Sequence, residues 1–152
     1  MKFVLTPELG RLCRWLRILN YDACCFSGSR ISLVIKARQE KRLIVSRNSS
    51  FLRYSDLDFV VIKSEILNLQ LKELQERLNI QLDQDNIFSR CLACNTELLL
   101  IEKSRVENRI PVYTYKTYSD FKTCPNCHRI FWPGSHWDSA KKEIRRIKNG
   151  NS

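Results

Sequence analysis

The sequence predicts an α/β fold, a parallel sheet flanked by helices, followed by a small cysteine-rich module. Two observations carry that reading. Over the first 80 or so residues, short apolar and β-branched runs alternate with stretches of helical periodicity, the pattern of strand–helix–strand units. Beyond them, Cys91-Leu92-Ala93-Cys94 and Cys124-Pro125-Asn126-Cys127 repeat one frame, two thiols on a tight turn. Two such turns supply four soft ligands, so Cys91, Cys94, Cys124 and Cys127 are assigned to a closed tetrahedral zinc site in a four-cysteine zinc ribbon. The 29 residues between the frames, 95–123, suit a hairpin-like excursion. A closed site keeps no open position for water or substrate, so this zinc is read as structural. Asn95, just past the first frame, suits a left-handed residue closing the turn.

Phe3-Val4-Leu5 reads as a short buried strand. Thr6-Pro7-Glu8 reads as a helix start, with a hydroxyl cap, proline at the first helical position and an acid in the first turn. Leu9, Leu12, Cys13, Leu16 and Leu19 then fall on one helical face, while Arg11, Arg14 and Arg17 make a ridge on another. Asn20 ends the helix and Tyr21 to Phe26 reads as a second strand. After the turn Ser27-Gly28-Ser29, a helix is expected from Ile31 to Lys41, with Ile31, Val34, Ile35 and Ala37 inward. Leu43 to Ser46 and Asp58 to Ile62 read as further strands. Ile66 to Leu78 reads as a helix on Leu67, Leu71, Leu74 and Leu78. Asp83 to Asn86 is polar and is taken as a linker, dividing an α/β domain over 1–86 from a ribbon and terminal helix over 87–152. Ser139 to Lys148 reads as a basic helix docked through Ile144 and Ile147.

The net charge of +10 is unevenly spread. Residues 1–50 hold 10 Lys/Arg against 3 Asp/Glu, residues 51–90 hold 5 against 7, and residues 91–152 hold 11 against 6. Two basic ends therefore flank a slightly acidic middle, and nucleic acid is the commonest partner for such a field. No apolar run approaches membrane-spanning length, and the N-terminal apolar stretch is too short for a secretory signal. The odd number of cysteines outside the frames (Cys13, Cys24 and Cys25) points to the cytoplasm or another reducing intracellular compartment.

Several segments resemble a known family. Leu9-Gly10-Arg11-Leu12, then Arg14-Trp15-Leu16-Arg17 and Leu19-Asn20-Tyr21-Asp22, resemble the opening of the Mut-seven C-terminal RNase domain family. Ala37 to Asn48 is similar to its middle segment. Cys91 to Asn95, and Cys124 through Trp132-Pro133-Gly134-Ser135-His136-Trp137, resemble its fused zinc ribbon. The resemblance implies a PIN-like fold, a metal-dependent ribonuclease ancestry and RNA as substrate. It also implies carboxylates at the C-terminal ends of the parallel strands, holding Mg or Mn ions.

Those carboxylates are where the sequence departs from the family. Thr6 stands where the first strand should end in an acid. Ser32 follows Arg30 where the second helix should open with one, and Asn48 closes the third segment. Neutral oxygens at these positions hold a hard dication poorly, and Arg30 and Arg47 repel it. Glu8, Asp56 and Asp58 are the spare acids nearby. The favoured expectation is therefore an RNA-binding protein with a degenerate nuclease site, acting alone or within a ribonucleoprotein or RNA-processing complex. Its expected contacts are Arg11, Arg14, Arg17, Arg30, Arg47, Tyr113, Tyr115 and Lys116, cations interleaved with aromatics. The alternatives are a Mg- or Mn-dependent ribonuclease with rearranged ligands, and an assembly subunit that meets an acidic protein.

Overall fold

Four short apolar runs form one parallel sheet in the computed structural model, which describes residues 1–149. The strands are β1 (Lys2–Leu5), β2 (Asp22–Cys25), β3 (Leu43–Ser46) and β4 (Phe59–Val61), ordered β2-β1-β3-β4. Every pair is parallel, with Phe3 opposite both Ala23 and Leu43 and Val45 opposite Val60. Side chains alternate across the sheet. Phe3, Leu5 and Val45 face a cluster with α1 (Gly10–Ile18), α3 (Leu67–Leu78) and α5 (Ser135–Lys148). Val4 and Ile44 face the other side, where α2 (Arg30–Glu40) and the 3-10 turn Ser49–Arg53 pack through Leu33, Val34, Ala37 and Phe51. The result is the three-layer α/β arrangement expected, with helices on both faces.

The chain grows outward from β1 to β2, then reverses through β3 to β4. The crevice at that reversal, outside the C-terminal ends of β1 and β3, is where open α/β sheets place ligands. Thr6 and the Ser46–Asn48 segment sit at its mouth.

Local details differ from the sequence reading. Thr6 makes no side-chain cap; its hydroxyl donates to the Glu8 carboxylate, a 3-10 turn covers Pro7–Leu9, and α1 begins only at Gly10. In α2, Ser29 is the cap, accepting from Ser32 N–H at 3.1 Å. The buried stripe there is Leu33, Val34 and Ala37, whereas Ile31 and Ile35, expected inward, are exposed. The helix carries two apolar stripes, and only the one facing Val4 and Ile44 meets the sheet.

The C-terminal module is a three-stranded antiparallel ribbon of β5 (Leu99–Ile101), β6 (Phe121–Thr123) and β7 (Ile130–Phe131). The excursion between β5 and β6 is more than a hairpin, since it contains the short helix α4 (Val112–Thr117). Helix α5 starts four residues before the predicted Ser139, at Ser135 after Gly134. Its Ala140, Ile144 and Ile147 join the same apolar cluster as Phe3, Leu71 and Ile87. The terminal helix thus packs into the α/β core, and Asp83–Asn86 lies between buried Leu82 and Ile87. No helix among the described residues is long and apolar enough to cross a membrane.

Candidate functional site

The sulfurs of Cys91, Cys94, Cys124 and Cys127 lie within 4.8 Å of one another. Two matching turns bring them together. Asn95 N–H donates to Cys91 O at 2.8 Å and His128 N–H to Cys124 O at 2.9 Å. Asn95 (φ 66°) and His128 (φ 59°) are both left-handed, so each turn closes in the same way. Cys94 N–H points at Cys91 Sγ and Cys127 N–H at Cys124 Sγ, both at 3.4 Å. Such N–H groups stabilise thiolates. Burial pushes the Cys91 thiol up to about 11, while the Arg129 N–H leads the contacts that hold Cys127 down to about 7. Four thiols this close can hold one soft metal ion. His128 belongs to the turn and not to the sulfur cluster. Cys13 stands apart, and burial pushes its thiol up to about 12.

The first turn is moored to the sheet. Arg17 donates from Nε to Ala23 O at 2.8 Å, and from Nη1 to Leu92 O at 2.7 Å and Ala93 O at 3.0 Å. Asn95 Oδ1 accepts from Ala23 N–H at 3.1 Å, and Asn95 Nδ2 donates to Asp22 Oδ1 at 2.6 Å. Arg42 Nη1 donates to the same Asp22 oxygen at 2.6 Å. Burial pushes the Asp22 carboxyl up, but the hydrogen bonds from Arg42 and Asn95 outweigh it and hold it below the ordinary value. The sequence reading missed this mooring, which has no signature in spacing.

The crevice at the ends of β1 and β3 is a small depression lined by Thr6, Glu8, Arg30, Ser46, Asn48 and Phe51 among others. Thr6 Oγ1 and Ser46 Oγ lie 3.0 Å apart, and Asn48 N–H donates to Ser46 Oγ at 3.1 Å. Glu8 is the one carboxylate in the lining among the described residues. Its carboxylate accepts from Thr6 and Ser46 hydroxyls and from Arg47 N–H. Partial burial pushes Glu8 up, yet these bonds bring it below the ordinary value, so it is ionised at neutral pH. Ser32 lies outside this lining, turned to Ser29 at the head of α2. Asp56 does not enter the crevice either: Arg38 holds it by two bonds, at 2.7 and 3.0 Å. Arg30 lies over the Phe51 ring at 6.0 Å, and Arg47 pairs with Glu65 at 2.8 Å.

The arginine ridge of α1 does not act as a unit. Arg11 lines a groove with Glu65 and Glu143, and Arg14 lines a separate groove against the ribbon. Arg17 is turned inward to the mooring just described. Tyr113 and Tyr115, both expected as RNA contacts, are parted by the helical turn of α4. Tyr113 enters the groove with Arg14, while Tyr115 lies under Lys103 at 4.9 Å, and Lys116 is exposed beyond both.

Comparisons with curated proteins and with solved structures found no match to the chain. The family model of the Mut7-C RNAse domain matches residues 1–144 of the 152. That span runs from β1, through the crevice and all four clustered cysteines, into α5, and on it the chain belongs to the Mut7-C RNAse domain family.

Proposed function

We propose that this chain is an RNA-binding member of its RNase family whose nuclease site has degenerated, with a structural zinc in the four-cysteine centre. The carrying observation is the crevice itself. Where the family resemblance calls for carboxylates, Thr6 and Asn48 offer neutral side chains: the Thr6 hydroxyl lies against Ser46 Oγ, and Asn48 Oδ1 already accepts from Ser50 N–H. Ser32 lies outside the crevice lining, its hydroxyl bonded to Ser29. The one acid, Glu8, already accepts from three protein donors. A Mg or Mn ion takes mostly anionic or water oxygens and must also displace those donors, beside the positive Arg30. Loss of carboxylates from a nuclease cleft also removes repulsion against phosphates, which favours holding RNA over cutting it.

Zinc is supported by the donor set. A zinc–sulfur distance of about 2.3 Å places tetrahedral sulfurs about 3.8 Å apart; Cys91 Sγ and Cys127 Sγ lie 3.7 Å apart. When bound, the ion cross-links the two turns and supplies folding energy, with no open position for chemistry. The chain's own residues do the rest: paired N–H groups stabilise the thiolates, and Arg17 with Asn95 fixes the first turn against β2. The seven cysteines are all unbridged, which fits a reducing intracellular compartment such as the cytoplasm.

The test is incubation of the metal-loaded protein with labelled single-stranded and structured RNA in Mg, in Mn and in EDTA. Intact RNA retained equally in EDTA is the expected result. Cleavage that needs the divalent ion and tracks with the protein would instead mean that other ligands have rebuilt the site and that the protein is a working ribonuclease. Neither cleavage nor retention would favour an acidic protein partner.

A further inference from the structure

We propose that the groove between α1, the ribbon and the head of α5 is a seat for the unpaired bases of single-stranded RNA, an inference that rests on the RNA-binding reading above. The groove encloses about 570 Å³, inside the range of roughly 300–1,000 Å³ of preformed ligand sites. The chain has three tryptophans, and Trp15, Trp132 and Trp137 all line it, joined by Tyr113 and Tyr118. No aspartate or glutamate is among its lining residues, whereas the neighbouring groove at Arg11 carries Glu65 and Glu143. A core seam would also gather aromatics, but it would bury them and use their polar ends. Here Tyr113 is 76% exposed. Among the described residues, the side chains of Arg14, Tyr113, Tyr118 and His136 make no hydrogen bond or ion pair, although all four line the groove.

The rings are held in place before any ligand arrives. Trp137 stacks on Phe88 with centroids 5.3 Å apart and planes 6° from parallel. Gly134 lets the Trp132 indole lie against the head of α5, since a Cβ there would stand 3.1 Å from Trp132 Nε1. Trp137 is backed by Phe88 and by Lys122 Nζ, 5.8 Å from its ring centroid, so exposed Tyr113 offers the open π-face. With the free donors and one unpaired guanidinium it matches what a splayed-out base offers: a π-face, polar edges and an adjacent phosphate. A duplex hides its base faces and cannot use such a face. An acidic peptide matches the charge but leaves the rings without partners.

Because every tryptophan lines the groove, intrinsic emission reports on it directly. The metal-loaded full chain is titrated with a short unstructured RNA, with the same strand annealed to its complement, and with polyglutamate. The single strand is expected to change tryptophan emission saturably and to bind at least about tenfold tighter than the duplex. Tyr113→Ala and Arg14→Ala, both at exposed positions, should each weaken the single strand severalfold at an unchanged melting temperature. Equal affinity for both RNA forms, no emission change, or wild-type affinity in both variants would overturn the base seat and leave the RNA-binding reading standing. No RNA binding at all would overturn both, and polyglutamate matching the single strand would replace them with an acidic protein partner.

Discussion

Arg14 and Arg17 lie three residues apart on α1 and carry the same charge, yet their surroundings give them different work. Arg17 is half-buried and donates to the carbonyl of Ala23 in β2 and, across the junction with the ribbon, to those of Leu92 and Ala93. Hydrogen bonds from a charged group contribute about 1.5–3 kcal/mol each when the partners would otherwise be left unmet. They are not additive here, so Arg17→Ala is expected to cost about 2–4 kcal/mol in urea unfolding. Arg14→Ala should stay within about 0.5 kcal/mol, as an exposed change does, and should instead lower the salt slope of RNA binding by about 1. If the two variants were equally stable, the mooring would carry no energy. Spacing alone made the three arginines look equivalent, because it fixes which face of a helix a residue takes and not what packs against it. Asp22 shows the same limit: the sequence places it in a family-like segment without revealing that Asn95 and Arg42 share one of its oxygens. Its carboxyl is depressed in the fold, so its contribution is complete above the unfolded value of about 3.9 and is lost as pH falls through the folded value. Asp22→Asn should therefore flatten the acid side of the stability–pH curve while leaving its neutral-to-alkaline side parallel to wild type.

Among the elements, legibility followed how local the determining physics was. The central strands β1 and β3 were readable as apolar runs because a parallel strand inside the sheet is buried on both faces, and edge strand β2 only as a short run between turns. The cysteine frames were readable because one ion dictates ligand type and spacing within a few residues. The phase of α2 was not, since Ile31 and Ile35 compete with Leu33, Val34 and Ala37 and only the sheet decides between them. Nor was α4, whose Tyr-x-Tyr alternation imitates a strand. The start of α5 was placed late because Gly134 has no side chain to advertise a cap. These assignments are testable by truncation of single side chains. Ile144, fully buried on α5, should cost about 2–5 kcal/mol on change to Ala, whereas Ile31→Ser, on the exposed face of α2, should be near neutral. A large loss at Ile31 would mean that a partner or a second copy covers that face.

On the scale of the whole molecule, the four-cysteine module also solves an edge problem. In the order β2-β1-β3-β4, strand β2 is an edge, and an open parallel edge leaves backbone groups unpaired. Ala23 presents both of its groups outward, and both are met by side chains: Asn95 accepts from its N–H, and Arg17 donates to its carbonyl. Asn95 is held by the left-handed turn that closes the first cysteine frame, and Arg17 grips the carbonyls inside that frame. Protection of the sheet edge is thereby coupled to the four-cysteine cluster some distance along the chain. Cys124→Ser lies in the other frame and touches neither Asn95 nor Arg17, so it isolates the coupling from the contacts. The variant is expected to release the metal and to leave the ribbon protease-sensitive. Hydrogen exchange should then show the Ala23 amide opening first, while the Ile44 amide, which donates to Asp58 O on the far side of the sheet, keeps its protection. Chelation of the wild type should reproduce the same order. An Ala23 amide that stays protected after metal loss would show that the first turn is rigid without its ion. Simultaneous loss at Ala23 and Ile44 would show that the ribbon and the sheet open as one unit.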